Sequence, residues 1–240
     1  GRHFREGMTL ALEAILLHPS FVFLVEDSRS DAEAGSTELS SYEMASRLSY
    51  FLWSSKPDDA LMDCASKGGL KPEASGAADG CGYEAQVQRM IADEKASAIV
   101  DDFVVQWFRL AELPTLTRDP QKFPEFSTPL AESMFQETTL FFEEFLRNEL
   151  YFPDFLDASF GWVDPALREF YGMPSTDQSG FERIEIESSQ RGGFLRQAGF
   201  LTVTSTPSRT SPVKRGVFLL ERLLCDPPAP PPPNVASIVE

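Results

Sequence analysis

The chain has 240 residues, 37 of them acidic and 21 basic, for a net charge of −16. That balance weighs against nucleic acid and anionic membranes as partners, because a polyanion needs a broad basic surface. A hydrophobic content of 42%, with 20 Phe, supplies a real core, yet no apolar run approaches the ~20 residues that cross a bilayer.

Residues 7–26, GMTLALEAILLHPSFVFLVE, begin as a helix with Leu10, Ala14 and Leu17 on one face. His18-Pro19 interrupts it, since the residue before a proline is pushed out of the helical region. A polar stretch, DSRSDAEAGSTE, predicts a loop. The next helix starts cleanly: Ser40 and Glu43 have capping-box spacing, and Met44, Leu48, Phe51 and Leu52 follow at helical intervals. KPDDALMDCAS turns into a short helix, and YEAQVQRMIAD into another with Val87, Met90 and Ile91 inward. SAIVDDFVVQWFRL carries a wide apolar face of Ile99, Val100, Phe103, Val104, Trp107 and Phe108.

The longest predicted helix is STPLAESMFQETTLFFEEFLRN, with Thr128 as its cap, Pro129 in the first helical position, and Leu130, Met134, Phe141 and Phe145 on one side. DPALREFYG predicts a compact helix with Asp164 as N-cap, Pro165 at its first position and Gly172 past its end. FERIEI alternates apolar and charged residues, the pattern of a strand. GGFLRQAGFLT and SPVKRGVFLLERLLC predict two more helices, the last with Val213, Val217, Leu220 and Leu224 inward. Prolines 227, 228 and 230–233 predict a polyproline-II tail that reads as a linker. The fold class is mainly α: an irregular multi-helix bundle with at most one or two short strands. Both ends read as cut from a longer polypeptide, and GRHFREGMTL lacks the apolar segment of a signal peptide.

Cys64, Cys81 and Cys225 form no Cys-x-x-Cys pair, so they offer neither a zinc ribbon nor a haem attachment site. Cys64 and Cys81 flank a Gly/Ala/Ser-rich loop. They are a candidate disulfide worth roughly 3 kcal/mol, or two unpaired thiols; a disulfide would imply an oxidising compartment.

The stretch TSTPSRTSPVKRG, Thr204 to Gly216, stands out against the acidic background. Residues 191–225 hold Arg191, Arg196, Arg209, Lys214, Arg215 and Arg222 against the single acid Glu221. Arg209, Ser211, Lys214 and Arg215 are therefore candidates for an anion site or for an internal clamp onto the acidic body. The clamp is the favoured reading, with Arg209 and Arg215 suited to bidentate carboxylate contacts. Ser211 has no Gly-x-Ser-x-Gly elbow and no histidine base, and caps the helix that starts at Pro212. Glu137, Glu143 and Glu144 share the long helix, but a di-iron site needs Glu-x-x-His pairs and the chain has only His3 and His18. A solvated helix face is the expectation for these glutamates. Asp58-Asp59 and Asp101-Asp102 read as cap and surface charges. No Walker or Rossmann loop is present, and no metal site is expected.

ALEAILLHPSFVFLVE, ASRLSYFLWSSKPDDALM, GGFLRQAGFLTVTS, RTSPVKRGVFLLERLLC and PPPPNV together resemble uncharacterised helical domains, domains of unknown function, of cytochrome-c-associated multidomain proteins of planctomycetes and myxobacteria. The resemblance covers nearly the whole chain. It implies the end of a preceding helical module at 1–35, a main helical domain at 36–178, a C-terminal docking segment at 179–226 and a Pro-rich linker at 227–240. It also implies an exported protein, periplasmic or on the cell surface, with haem c in a downstream region and none in this chain. Export favours a Cys64–Cys81 disulfide, although that loop looks like a local elaboration. The expected partners are other domains of the same polypeptide, or a redox or cell-surface protein. The leading expectation is a non-catalytic scaffold or docking module. Its competitors are a carbohydrate-active or other hydrolytic module with an acidic cleft, and a protein–protein interaction module using the Pro-rich tail.

Overall fold

Short polar side chains, Ser40, Asp58, Ser127, Asp164 and Ser211, set several helix starts. The computed structural model describes residues 2–24, 26, 39–71, 80–148, 150–186 and 192–229. The chain divides into two units, residues 1–96 and 97–240.

In the first unit, α1 spans Arg2–Leu16 and α2 spans Pro19–Val22. His18 opens α2 by accepting the Ser20 N–H on Nδ1 at 3.2 Å. The face formed by Leu10, Ala14 and Leu17 is exposed. Helix α3, Ser41–Trp53, has its full capping box: Ser40 Oγ accepts from Glu43 N at 3.2 Å, and Glu43 Oε2 accepts from Ser40 N at 2.7 Å. Its buried face is Ala45, Leu48, Ser49, Leu52 and Trp53. Leu48 and Leu52 lie where expected, but Phe51 is exposed and Met44 only half-buried. Helices α4, Asp59–Ser66, and α5, Tyr83–Ala92, pack against α3, and the buried face includes the small residues Ala45 and Ser49. On α5 Met90 and Gln86 are buried, while Val87 and Ile91 are half-buried. The Trp53 indole N–H donates to Met90 O at 2.9 Å, and Lys95 and Arg89 stand 4.6 and 5.4 Å from the ring centroid. A bond joins Cys64 to Cys81, with Cα atoms 5.1 Å apart.

The second unit is organised around α7, Thr128–Arg147. Before it, a π-helical segment, Ile99–Val104, runs into α6, Val105–Trp107, and a 3-10 turn covers Leu110–Thr115. Ile99, Val100, Val104 and Phe108 are buried as expected; Phe103 is exposed and Trp107 half-buried, because the widened turn changes the angular spacing of the face. The start of α7 differs by one residue from expectation. Ser127 is the cap, accepting from Leu130 N at 3.4 Å, with Thr128 and Pro129 already in the first turn. Leu130, Met134, Phe141 and Phe145 all face inward, joined by Ala131, Phe142 and Glu137.

Phenylalanines fill the core beside α7. Phe108 lies 4.2 Å from Phe194 and 5.7 Å from Phe155, centroid to centroid, and Phe141 lies 5.0 Å from Phe160. Offset and edge contacts of this kind add about 0.5–1.5 kcal/mol per pair beyond area burial. The strand expected in FERIEI is β2, Glu182–Glu185. It pairs antiparallel with β1, Phe160–Val163, which sequence reading left without an element, in the register Phe160 to Glu185 and Val163 to Glu182. Between them, α8 is Pro165–Phe170, capped by Asp164, whose Oδ1 accepts from Leu167 N at 2.8 Å.

The C-terminal part contains a 3-10 turn, Phe194–Arg196, then α9, Ala198–Val203, and α10, Pro212–Phe218, which widens into a π-helical turn at Leu219–Leu223. Phe218 is the buried anchor of α10. The expected stripe fails at its ends, with Val213 76% and Leu224 68% exposed. Of the polyproline tail, residues 230–233 lie outside the described residues. The polar stretch 27–38 and residues 72–79 of the Cys64–Cys81 loop also lie outside the described residues.

Candidate functional site

Hydroxyls of the basic stretch serve its own backbone. Thr204 Oγ1 donates to Phe200 O at 2.7 Å and Ser205 Oγ donates to Leu201 O at 2.6 Å, closing the end of α9. Thr206 donates to Arg209 O through both its N–H and its hydroxyl, each at 2.9 Å, which forms a tight turn. Ser211 caps α10 by accepting from Lys214 N at 3.2 Å. These groups shape the stretch and leave its cations outward. Arg209 and Lys214 are exposed and Arg215 is half-buried. Among the described residues none of the three makes an ion pair with a carboxylate. The Arg215 Nε is buried without a hydrogen-bond partner. The structure thus gives the internal clamp no carboxylate among the described residues.

The stretch is held by a residue that sequence reading missed. Arg118 donates one guanidinium nitrogen to Thr206 O and another to Thr202 O, and Asp119 N donates to Pro207 O at 3.0 Å. The segment 118–126 therefore cradles the end of α9 and the turn after it. Arg118 sits 5.9 Å from the Phe126 ring centroid. Burial lowers its guanidinium from the ordinary arginine value, and no carboxylate of the described residues offsets that. Beside it opens a cleft of about 290 Å³, lined among others by Lys122, Phe126, Met134, Phe170 and Thr210. No local signal in LTRDPQKFP could mark Arg118, because its partners lie 84 and 88 residues away and are backbone carbonyls.

The carboxylates weighed as chemistry have structural partners. Glu137 is only 3% exposed, which corrects the expectation of a solvated face: both carboxylate oxygens lie 2.8 Å from the Tyr171 hydroxyl, which also accepts from Ala198 N at 2.9 Å. Glu144 accepts from the Trp162 indole N–H at 2.7 Å and from Arg183 Nε at 2.6 Å, while Glu143 accepts from Arg147 Nε at 2.7 Å. Asp58 caps α4 and accepts a two-pronged contact from Arg89, at 2.8 and 3.0 Å. Asp101 and Asp102 are exposed. Although the residue is exposed, partial desolvation of its carboxyl, then the neighbouring Asp102 and Glu143 charges, raise Asp101 above its ordinary value. Among the described residues no three His, Cys, Asp or Glu side chains stand together as a metal site, and no helix is long and apolar enough to cross a membrane. Cys225 is free and exposed.

A family model described as PSD4, protein of unknown function (DUF1592), matches residues 39–173, more than half of the chain, and the chain belongs to that family. A second model, PSCyt3, protein of unknown function (DUF1588), matches residues 191–240. The first span runs across the division at Ala96. No curated protein and no solved structure matches the chain.

Proposed function

We propose, with membership of this family as the premise, that the chain is a non-catalytic helical docking module of an exported, cytochrome-c-associated redox protein. The carrying observation is the basic stretch: its Thr204, Ser205, Thr206 and Ser211 hydroxyls are used internally, while Arg209 and Lys214 point outward without carboxylate partners among the described residues. A cationic face on a chain of net charge −16 selects an acidic surface, and charge complementarity of this kind sets partner choice and association rate. The partner is another domain of the same polypeptide or an acidic redox protein. The name of the PSCyt3 family supports the cytochrome association, and haem c belongs to a region outside these residues. The internal roles of Asp58, Glu137 and Glu144 favour this reading over a hydrolytic acidic cleft, because each is engaged in holding elements together.

The test pairs this chain with the remainder of its parent polypeptide, supplied separately. The two should associate in a salt-sensitive manner, and the double charge reversal Arg209→Glu/Lys214→Glu should weaken association at least about tenfold. The parent protein should stain for covalent haem and be found outside the cytoplasm. Turnover of glycoside or ester substrates by the purified chain, abolished by a point change in one of its carboxylates, would overturn the non-catalytic reading.

A further inference from the structure

The cleft beside Arg118 combines an apolar interior with one cation that the protein leaves uncompensated. Phe126, Met134, Phe170 and Leu201 provide apolar walls. Lys122 and Glu125 also line the cleft; both are exposed and of opposite charge, so they roughly offset each other. Arg118 differs. Its guanidinium is half-buried, is anchored by two backbone carbonyls, and has no carboxylate partner among the described residues. Carbonyl dipoles orient an arginine but leave its net charge in place, and a guanidinium presents five N–H donors in a planar fork. A partly desolvated cation at the edge of an apolar cavity favours an anion attached to an apolar body.

We propose that this cleft binds a small amphipathic monocarboxylate, with its hydrocarbon part against Phe126, Met134, Phe170 and Leu201 and its carboxylate on the Arg118 guanidinium. The volume of about 290 Å³ sets the size. It lies near the lower end of ligand pockets, which begin at roughly 300 Å³, and corresponds to about ten waters at liquid density. An eight-carbon acid matches that space; a long-chain fatty acid exceeds it. The site is independent of the docking role of Arg209 and Lys214, since neither lines the cleft.

Calorimetric titration of the chain with octanoate and with octanol tests both halves of the claim. Octanoate should bind saturably, and octanol, with the same hydrocarbon but no charge, at least about tenfold more weakly. Arg118→Gln should remove that preference. Because Arg118 also pins the turn after α9, its variant is checked for native helicity, and Thr210→Trp supplies an independent arm. Thr210 is an exposed residue of the lining, so a large ring there should block the cleft and weaken octanoate at least tenfold with the fold intact. Equal affinity for octanoate and octanol would overturn the role of Arg118. No saturable binding of octanoate, or binding that Thr210→Trp leaves unchanged, would overturn the site itself.

Discussion

Asp58 joins two structural tasks in one carboxylate. It caps α4 through Leu61 N and receives the Arg89 fork from α5, so a single side chain links the two helices. Burial by itself would raise its pKa, but the Arg89 hydrogen bonds, the Leu61 amide and the Arg89 and Lys95 charges together bring it below the ordinary value. The folded state therefore binds this proton less readily than the unfolded chain. The stability it contributes is present above the unfolded aspartate value of about 3.9 and is lost as pH falls through the lower folded value. Asp58→Asn should flatten the acid limb of the stability profile below about pH 4, and Asp58→Ala should cost about 1–2 kcal/mol at neutral pH from the lost cap. Urea unfolding at several pH values checks both. Tyr171 is the counterpart in the second unit. Tyr171→Phe removes one donor from buried Glu137 and the acceptor of Ala198 N; losing these hydrogen bonds should cost about 1–3 kcal/mol, measured by the same unfolding. The residue scale also shows what the sequence makes legible. Ser40–Glu43, Asp164 and Ser211 announce their roles because each cap acts on a neighbour three residues on. Glu137 and Arg118 do not, because their partners lie 34 and more than 80 residues away.

At the scale of elements, apolar spacing identifies helices well but fixes their faces only where the turn is regular. Regular α7 keeps its predicted face from Leu130 to Phe145. The π-helical segments at Ile99–Val104 and Leu219–Leu223 shift side chains around the axis, which is why Phe103 and Leu224 are exposed against expectation. Strand β1 was hidden for another reason: it is a four-residue strand, FGWV, without apolar–polar alternation, and only its pairing with β2 identifies it. The turn into Phe194–Arg196 depends on backbone instead. Gly193 has φ of +76°, and a Cβ there would stand 2.1 Å from Leu156 O. No flexible side chain can relieve that clash, since the opposing atom is backbone. Gly193→Ala should therefore destabilise the second unit by more than the ~1–2 kcal/mol of the left-handed conformation alone, and thermal unfolding measures it. Phe194, next along, packs on Phe108, Phe155 and Phe200, so loss of this turn should also loosen the aromatic core.

At the scale of the whole molecule, the two units have different means of support. The second unit, residues 97–240, has the long helix α7 and a dense phenylalanine core beside it. The first, residues 1–96, has short helices around Trp53, the Asp58–Arg89 tie and the Cys64–Cys81 bond. A cross-link between residues 17 apart restricts the unfolded chain and is worth about 3 kcal/mol when the native geometry accepts it. For a unit of this size that is a large share of the total, since domains retain only about 5–15 kcal/mol. Close backbone approach points the same way: a Cβ at Gly69 would stand 2.3 Å from Cys81 O, so the two loop ends are already held together in the folded state. Reduction should consequently act on α4 and α5 first. Hydrogen exchange with and without a phosphine reductant reads this directly. Amides of α4 and α5 should exchange up to about a hundredfold faster after reduction, the equivalent of the lost ~3 kcal/mol, while α7 serves as comparison in the same tube. Cys64→Ala/Cys81→Ala should reproduce the effect without reductant. If α4 and α5 keep their protection in both experiments, the packing around Trp53 and the Asp58–Arg89 tie hold the unit without the bond.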